Sequence, residues 1–230
     1  MHDLDFMKRS VTLLLISLFV VPSSLVFGAE LNPEAVSWLA AQTNIQSWSA
    51  DFVQTRKLKS LTQPLKSKGH VWFAAPNRFR WELGHPAQTI AVRAPEELLI
   101  FYPLLKRVER YPLQQAGPWR DALALLEAGF PRSQSDLEAR YDVVSQKVEN
   151  GVGRLVLQPK SAAARRMISQ VEIDFDTHNH SLRGTELQFA DGSTLRNDFE
   201  NEEINPKVDE AMFNPPVPPG YTVSEPLKGR

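Results

Sequence analysis

"GHVWFAAPNRFRWEL", from Gly69 to Leu83, contains two runs of alternating apolar and polar residues separated by Ala-Ala-Pro-Asn. Successive side chains of a β-strand point to opposite faces of a sheet, so alternation with a period of two predicts strands. Proline is favoured between strands rather than inside a sheet, and Pro76 stands between the two runs. The segment therefore predicts a β-hairpin with its turn near Pro76.

The second strand of this hairpin has one apolar face and one charged face. Alternation assigns its side chains to two sets, Phe79, Trp81 and Leu83 on one face, and Arg78, Arg80 and Glu82 on the other. Large aromatic side chains are ordinary components of a protein core. They can equally form the wall of a pocket for an apolar ligand.

The same alternation extends over most of the chain. Six runs lie between residues 47 and 113, with prolines between them, and five more lie between residues 141 and 204. A helical pattern over residues 117 to about 138 separates the two sets. Antiparallel strands with few helices predict an α+β fold with about 11 strands, and no change in composition divides it.

A first helix is predicted over residues 31–46. Asn32 is a favourable capping residue, and Pro33 fits the first helical position. Val36, Leu39 and Ala40 form an apolar stripe at helical spacing, with Trp38 beside them.

Residues 1–28 predict a cleaved secretory signal peptide. Lys8 and Arg9 precede an apolar run over residues 11–21, which is shorter than the ~20 residues that span a bilayer, and small residues follow it. We expect cleavage after Gly28, or after Ala29 as the alternative, which leaves residues 29–230 as a single domain. The chain has no cysteine, so an exported form would be held together by its core rather than by disulfides.

Charge is unevenly distributed along a chain whose formal net charge is only −1. Residues 56–110 contain eleven Lys or Arg and four Glu, whereas residues 172–210 contain eleven acidic and three basic residues. The near-zero net charge gives no indication of nucleic-acid binding. The basic strands indicate either solvated faces or a docking surface, for which Arg78, Arg80, Lys106 and Arg107 are the candidates.

The sequence lacks the common signatures of catalysis. It contains no G-x-S-x-G, H-E-x-x-H or phosphate-binding glycine loop. In DFDTHNH, the side chains of Asp174, Asp176, His178 and His180 would share one face of a strand, as metal ligands can. The histidines fall on a predicted turn, however, so we interpret this set as a solvent-facing row. We expect no enzyme activity, no metal and no cofactor.

Apolar positions continue from the hairpin into the neighbouring runs. We predict one apolar face that includes a side chain of the first helix and is lined by Trp38, Phe52, Val71, Phe73, Phe79, Trp81, Leu83, Ile90, Val92, Leu98, Ile100 and Tyr102. From the pattern alone, ordinary core is the favoured interpretation.

The ordered set of these features resembles the LolA family of periplasmic lipoprotein carriers. The resemblance is carried by Gly69, Trp72 with Phe73, Pro76, Phe79, Trp81, Pro86, Ile90, Tyr102 and Pro103. WSADFVQT upstream and VDEAMFNPPVPPGYTV downstream also resemble family segments. Two places depart from the family. The arginine that precedes the motif's proline and hydrogen-bonds the lid is Ala75 here, and the Asp-Gly turn after the Ile strand is Ala94-Pro95.

The resemblance implies an unclosed antiparallel β-barrel with helices as a lid over an apolar cavity. It implies that the twelve apolar residues above contact lipoprotein acyl chains. It also implies a periplasmic monomer that receives lipoproteins from an inner-membrane ABC transporter and passes them to an outer-membrane acceptor.

Three other functions fit parts of the sequence. The fold could carry another lipid, such as a glycolipid or the product of a fatty-acyl exporter. It could serve as a sensor of stray acyl chains, although a sensor usually carries a further domain. It could also be a lipid hydrolase, against which the missing nucleophile and base signature argues.

The predicted processing can be tested on protein from the periplasm of an expressing cell. We expect the chain to begin at Ala29, or at Glu30 if the cut follows Ala29, because the small residues end there. Intact-mass spectrometry would read the N-terminus directly. A chain that still begins at Met1 or Met7 would contradict the prediction.

Overall fold

A computed structural model describes residues 30–113 and 133–226 of the chain. Most of the second predicted helix, residues 117–132, lies outside the described residues. The segment that follows it is helical, as expected. No helix within the two described ranges is long and apolar enough to cross a membrane.

The described residues form twelve strands and three α-helices. The strands are β1 Ser47–Lys57, β2 Leu65–Ala74, β3 Arg78–Leu83, β4 Thr89–Arg93, β5 Glu97–Tyr102, β6 Arg107–Pro112, β7 Tyr141–Glu149, β8 Val152–Pro159, β9 Ile168–Asp176, β10 Leu182–Phe189, β11 Thr194–Ile204 and β12 Thr222–Ser224. The helices are α1 Pro33–Gln42, α2 Gln134–Arg140 and α3 Ala162–Arg165. Two 3₁₀ turns, Pro103–Leu105 and Glu210–Phe213, complete the set.

All twelve strands belong to one unclosed sheet, in the order β12-β6-β5-β4-β3-β2-β1-β11-β10-β9-β8-β7. β1 to β6 form one antiparallel meander and β7 to β11 a second, and the pairing of β1 with β11 joins them. The predicted α+β fold with an unclosed sheet is thus confirmed. The prediction of a purely antiparallel sheet is wrong, because β12 pairs in parallel with β6. A long return connection over residues 205–221 allows this parallel approach.

Helix α1 begins as predicted but buries a different stripe. The Asn32 side chain accepts a hydrogen bond of 2.8 Å from the backbone N–H of Ala35. Ala35, Trp38 and Leu39 are the buried residues of the helix. Val36, predicted to lie on the apolar stripe, is 40% exposed. Trp38 has the largest side chain, and its burial fixes the rotation of the helix about its axis.

Helix α1 contacts the sheet through two stacked aromatic rings, which lie above a glycine. Trp38 lies parallel to Phe175 of β9, with ring centroids 4.8 Å apart and an interplanar angle of 15°. Gly153 of β8 pairs with Phe175 and lies directly beneath its ring. The face of the sheet that carries Phe175, Trp48 and Phe52 and packs against α1 is called the inner face below.

The opposite, outer face of β8 to β11 carries a ladder of ion pairs. Asp174 accepts hydrogen bonds of 2.7 and 3.1 Å from Arg154 of β8 and one of 2.8 Å from Arg196 of β11. Arg196 reaches Asp174 by crossing Gly184 of β10, where a Cβ would lie 2.9 Å from the guanidinium. Asp174 is only 3% exposed, so the prediction of a solvent-facing acid is wrong there.

Asp176, in the same predicted row, organises the turn that follows β9. Its carboxylate accepts hydrogen bonds from Arg183 at 2.6 Å and from the backbone N–H groups of His178 and Asn179. These bonds, that to Arg183 above all, hold the pKa of Asp176 well below its ordinary value. Both aspartates therefore have structural partners. Within the described residues no group of His, Asp and Glu is arranged to hold a metal ion.

Replacing Gly153 by Ala tests the stack beneath α1. The added Cβ would lie 2.3 Å from Cζ of Phe175, so the ring must move toward Trp38. Overpacking of this kind costs about 1–3 kcal/mol of unfolding free energy, which urea denaturation measures. In a Phe175→Leu background the same change should cost less, because the obstructing ring is gone. Equal costs in both backgrounds would contradict the stacking account.

Candidate functional site

The inner face continues across β2 to β5 as a row of apolar side chains. Residues directly opposite one another on neighbouring antiparallel strands point to the same face. The pairing aligns Val71, Trp81, Ala91 and Ile100 in one such row. Trp81 packs against the core, since the centroid of its ring lies 4.4 Å from that of Phe52.

A second row lies beside the first. It aligns Phe73, Phe79, Arg93 and Leu98 on the same face. The hairpin predicted at Gly69 to Leu83 thus has the predicted faces, with Phe79 and Trp81 on the inner one.

The two halves of the inner face differ in what covers them. On β7 to β11 with β1 and β2, the side chains join α1, α2 and α3 in one buried cluster. On β3 to β6, which we call the open half, Phe79, Trp81, Ile100 and Tyr102 are only partly buried. Phe79 and Ile100 belong to neither buried cluster of the described residues. The open half is the candidate site, because it presents apolar side chains outside the packed core.

Several residues predicted to line the site lie inside the core instead. Trp38 and Val71 are 0% exposed and Phe52 is 2% exposed. Phe73 and Leu83 are partly buried and pack against the same cluster. These five residues support the apolar face from within. In the open half Phe79, Ile100 and Tyr102 are partly buried and form the surface, whereas Trp81 also packs against the core cluster and Leu98 is only 8% exposed.

The placement of Ile90 and Val92 corrects the predicted apolar face. Ile90 lies opposite Glu82 and Phe101, so its side chain points to the outer face. Val92 follows the same alternation and is 0% exposed. Both pack in a second cluster on the outer face, formed by Val92, Leu99, Phe101 and Val108 with Ile90, Val217 and Tyr221 against them. The sequence analysis missed this second cluster, because the pattern alone does not relate the faces of successive strands.

Arg78 and Arg80 lie on the outer face as predicted but are not a free docking patch. Arg78 pairs with Glu210, and its guanidinium lies 5.3 Å above the ring of Phe213. Arg80 bonds Glu82 at 2.7 Å and the backbone carbonyl of Met212 at 3.3 Å. Both side chains are about one-fifth exposed, at 21% and 19%. The segment Glu210–Phe213 covers them, so they anchor the C-terminal part of the chain.

The other two docking candidates lie at the turn between β5 and β6. Lys106 is exposed and adopts a left-handed backbone conformation, with φ 46°. Arg107 lies over the ring of Tyr102 at 4.6 Å and 3.2 Å from a carboxylate oxygen of Glu109.

A polar cluster ends the open half on β5 and β6. One carboxylate oxygen of Glu109 accepts hydrogen bonds from the hydroxyls of Tyr111, at 2.9 Å, and Tyr102, at 3.2 Å. Burial, followed by these bonds to Glu109, raises the pKa of Tyr111 to about 12. Burial and the charge of Glu109 also raise the pKa of Tyr102. The candidate site is therefore mainly apolar on β3 to β5, where Arg93 is the charged side chain of the inner face, and polar toward β6.

Sequence analysis did not identify Glu109, Tyr111 or Arg93 as site residues. Arg93 lies on the inner face, and its guanidinium donates to the backbone carbonyl of Asn77 in the turn between β2 and β3. The same turn contains Ala75, so an arginine reaches this turn from β4 rather than from within it. The alternation in TIAVR and RVERYP could have indicated these residues. It places Arg93 on the same face as Ala91, and Glu109 on the same face as Tyr111.

Comparisons with known proteins agree with this geometry. The family model described as outer membrane lipoprotein carrier protein LolA matches residues 43–216. The outer-membrane lipoprotein carrier protein of Bordetella avium (strain 197N) is 30% identical over 181 residues, which cover 78% of this chain and 81% of that protein. The protein of the same name from Chromohalobacter salexigens is 25% identical over 180 residues, with the same coverage of 78% and 81%.

A solved structure from Thermus thermophilus has a similar fold. This crystal structure of an uncharacterized conserved protein has a TM-score of 0.50 and 10% sequence identity, and the match covers 83% of this chain and 99% of that chain.

Titration of the tyrosines tests the polar cluster. Because the pKa of Tyr111 in the folded protein lies above the ordinary value of about 10, ionisation opposes folding. The stabilising contribution is complete below pH 10 and is lost as the pH rises toward about 12. We expect ultraviolet absorbance to show phenolate formation near pH 12 that disappears in Tyr111→Phe.

Glu109→Gln should lower the pKa of Tyr111 but leave it above 10, because burial remains. The matched control is Glu97→Gln, since Glu97 lies on the outer face of β5 and pairs with Arg110. An unchanged titration in Glu109→Gln, or an equal change in both variants, would contradict the assignment.

Proposed function

Because the chain belongs to the LolA family of outer-membrane lipoprotein carrier proteins, we propose that it carries lipoproteins by holding their acyl chains against the open half of the inner face. The observation that carries this proposal is the set of partly exposed apolar side chains there, foremost Phe79 and Ile100, which belong to neither buried cluster of the described residues.

The energetics of an acyl chain favour such a surface. Burial of an acyl chain contributes about 0.8 kcal/mol per CH₂, so a lipoprotein leaves a membrane only for a comparably apolar surface. Trp81 and Phe79 provide wide, rigid rings for this contact and lose little conformational entropy on binding. Trp81 is in turn supported by Phe52 behind it. The wall is therefore organised before the ligand arrives, which reduces the cost of binding.

The polar edge of the site gives a bound lipid a direction. A hydrocarbon chain gains nothing from contact with Glu109, Tyr102 and Tyr111, which already satisfy one another by hydrogen bonds. The acyl chains would therefore lie over β3 to β5, with the polar part of the ligand toward β6. This limit on the apolar length also limits affinity, which a carrier requires for release.

The cellular route follows from the family and is part of the proposal. Lipoproteins would be received from an inner-membrane ABC transporter and passed to an outer-membrane acceptor, with the protein in the periplasm between them. The names of the Bordetella and Chromohalobacter relatives support the outer-membrane destination. The family consists of carrier proteins, and the proposed activity is binding and transfer without catalysis.

A second candidate is transport of another lipid, such as a glycolipid or a fatty-acyl species. The observation in its favour is the cluster of Glu109, Tyr102 and Tyr111 beside the apolar surface, because carboxylates and hydroxyls bind the hydroxyls of a lipid headgroup. The family's arginine before the motif's proline is also replaced by Ala75.

Serine substitution of Phe79 and Ile100 tests the acyl-binding surface. Each variant removes apolar area from the site without entering a buried cluster, so the fold should persist. Loss of one such contact is expected to weaken binding of a triacylated lipopeptide by about ten- to a hundredfold, following about 1.5–3 kcal/mol per large apolar side chain. Isothermal titration calorimetry measures this affinity, and urea denaturation verifies the fold.

The matched control is Trp72→Ser, because Trp72 occupies the same hairpin but points to the outer face beside His70. It should leave lipopeptide affinity unchanged. A glycolipid and a free fatty acid are titrated in parallel. Tight binding of either one with no binding of the lipopeptide would favour the second candidate. Equal effects of the inner-face and outer-face variants would overturn the proposed site.

A further inference from the structure

One end of the sheet combines exposed basic side chains with exposed leucines. Antiparallel strands reverse direction at each connection, so alternate connections lie at the same end of a sheet. The connections at this end, which we call the basic end, span residues 58–64, 84–88, 103–106, 160–167 and 190–193. Exposed basic side chains gather at this end, although Arg78 and Arg93 of the basic segment lie at the opposite one.

Eight exposed basic side chains lie in or beside these connections. They are Arg56, Lys57, Lys59, Lys66, Lys106, Lys160, Arg165 and Arg166. Apart from Glu82, which pairs with Arg80 beside the connection over residues 84–88, the carboxylates near this end, among the described residues, are Asp136, Glu138, Asp142 and Asp191. Asp136 pairs with Arg140, and Asp142 lies 3.7 Å from Lys160. Three of the four carboxylates therefore lie on the β7 side, and the β1 to β6 side is predominantly basic.

The leucines of this end lie on the same basic side. Of the nine large apolar side chains exposed among the described residues, four lie here. Leu104 is 77% exposed and Leu105 is 66% exposed, both in the turn between β5 and β6. Leu61 and Leu65, at 46% and 49%, lie in and beside the connection between β1 and β2. With strands about 4.8 Å apart, the two leucine tips are separated by roughly 20 Å.

We propose that the basic end docks on the surface of a bilayer that contains anionic phospholipid, with Leu104 and Leu105 entering the interface and the lysines facing the headgroups. Separate apolar tips surrounded by lysine suit a fluid surface, into which each tip can insert independently. Basic residues near such a surface are attracted by its negative potential. A protein interface has instead a continuous apolar core, enriched in aromatic residues and depleted of lysine.

The opposite end of the sheet supports this orientation. The exposed carboxylates in or beside its connections are Glu96, Glu149, Glu203, Asp209 and Glu210, of which Glu210 pairs with Arg78, and they outnumber the exposed lysines there, Lys147 and Lys207. An anionic surface therefore attracts one end of the molecule and repels the other, so the field orients the protein before contact. Arg107 and Tyr102 adjoin the leucine turn, so the polar edge of the open half lies close to the bound membrane. The proposal does not require bound lipoprotein and is tested on the empty protein.

Vesicle flotation tests this docking. The protein is purified as the expressing cell leaves it, and all variants share that N-terminus. We expect the protein to float with vesicles of phosphatidylethanolamine and phosphatidylglycerol, less so as ionic strength rises, and not with phosphatidylcholine vesicles. The double variant Leu104→Ser/Leu105→Ser should lower vesicle affinity about tenfold or more. Each of Lys57→Gln, Lys59→Gln and Lys106→Gln should lower it about fivefold.

Matched controls lie at the opposite end of the sheet. Val148→Ser/Ile204→Ser removes two exposed apolar side chains there, and Lys147→Gln/Lys207→Gln removes two exposed charges. Both should bind anionic vesicles as the parent does. Failure of the parent to float, or equal losses at the two ends, would overturn the proposal. Retention on immobilised poly-glutamate without vesicle binding would overturn it in favour of an acidic protein partner.

Discussion

The pairing of β1 with β11 is the interaction on which the rest of the structure depends. It joins residues 137 to 156 positions apart along the chain, from Lys57 with Thr194 at one end to Trp48 with Ile204 at the other. The side chains across it are apolar at Phe52 and Phe199 and polar at Gln54 and Asn197, whose buried amides bond at 3.1 Å. Without this pairing the two meanders would be separate sheets, and the inner face would lack the continuous cluster on which α1 packs. Pairing such distant residues carries the entropic cost of closing a long loop, which the buried contacts across the pairing must offset.

Once the meanders are joined, the unequal covering of the inner face creates the candidate site. α1, α2 and α3 all contact the same buried cluster, whereas β3 to β6 keep apolar side chains partly exposed. The stack of Trp38, Phe175 and Gly153 holds α1 over β8 and β9. The Gly153 position thus contributes indirectly to the site, because it fixes which part of the face the helix covers. The distribution of charge follows the same topology. Alternate connections lie at the same end of the sheet, and those with exposed basic side chains share one end.

The sequence predicts β1 to β11 because most of them have an alternating pattern and lie near proline or glycine, but it does not predict the three-residue strand β12. It predicts the faces of Phe79 and Trp81 correctly for the same reason. The predicted face of Ile90 and Val92 is wrong, because alternation is defined within a strand. Only the pairing register relates the faces of neighbouring strands. The sequence analysis did not anticipate that Arg78 and Arg80 are covered, because their cover, Glu210–Phe213, comes from more than 120 residues away. Short-range pattern cannot indicate that contact.

The C-terminal segment has a mechanical consequence for the open half. Behind the exposed inner side chains of β4 and β5 lies a second packed cluster, in which Val217 and Tyr221 press against Val92 and Phe101. A sheet supported in this way cannot bend inward without breaking contacts on its far side. The open half would therefore keep its shape whether or not a ligand occupies it. The parallel pairing of the short strand β12 with β6 holds this C-terminal segment against the outer face.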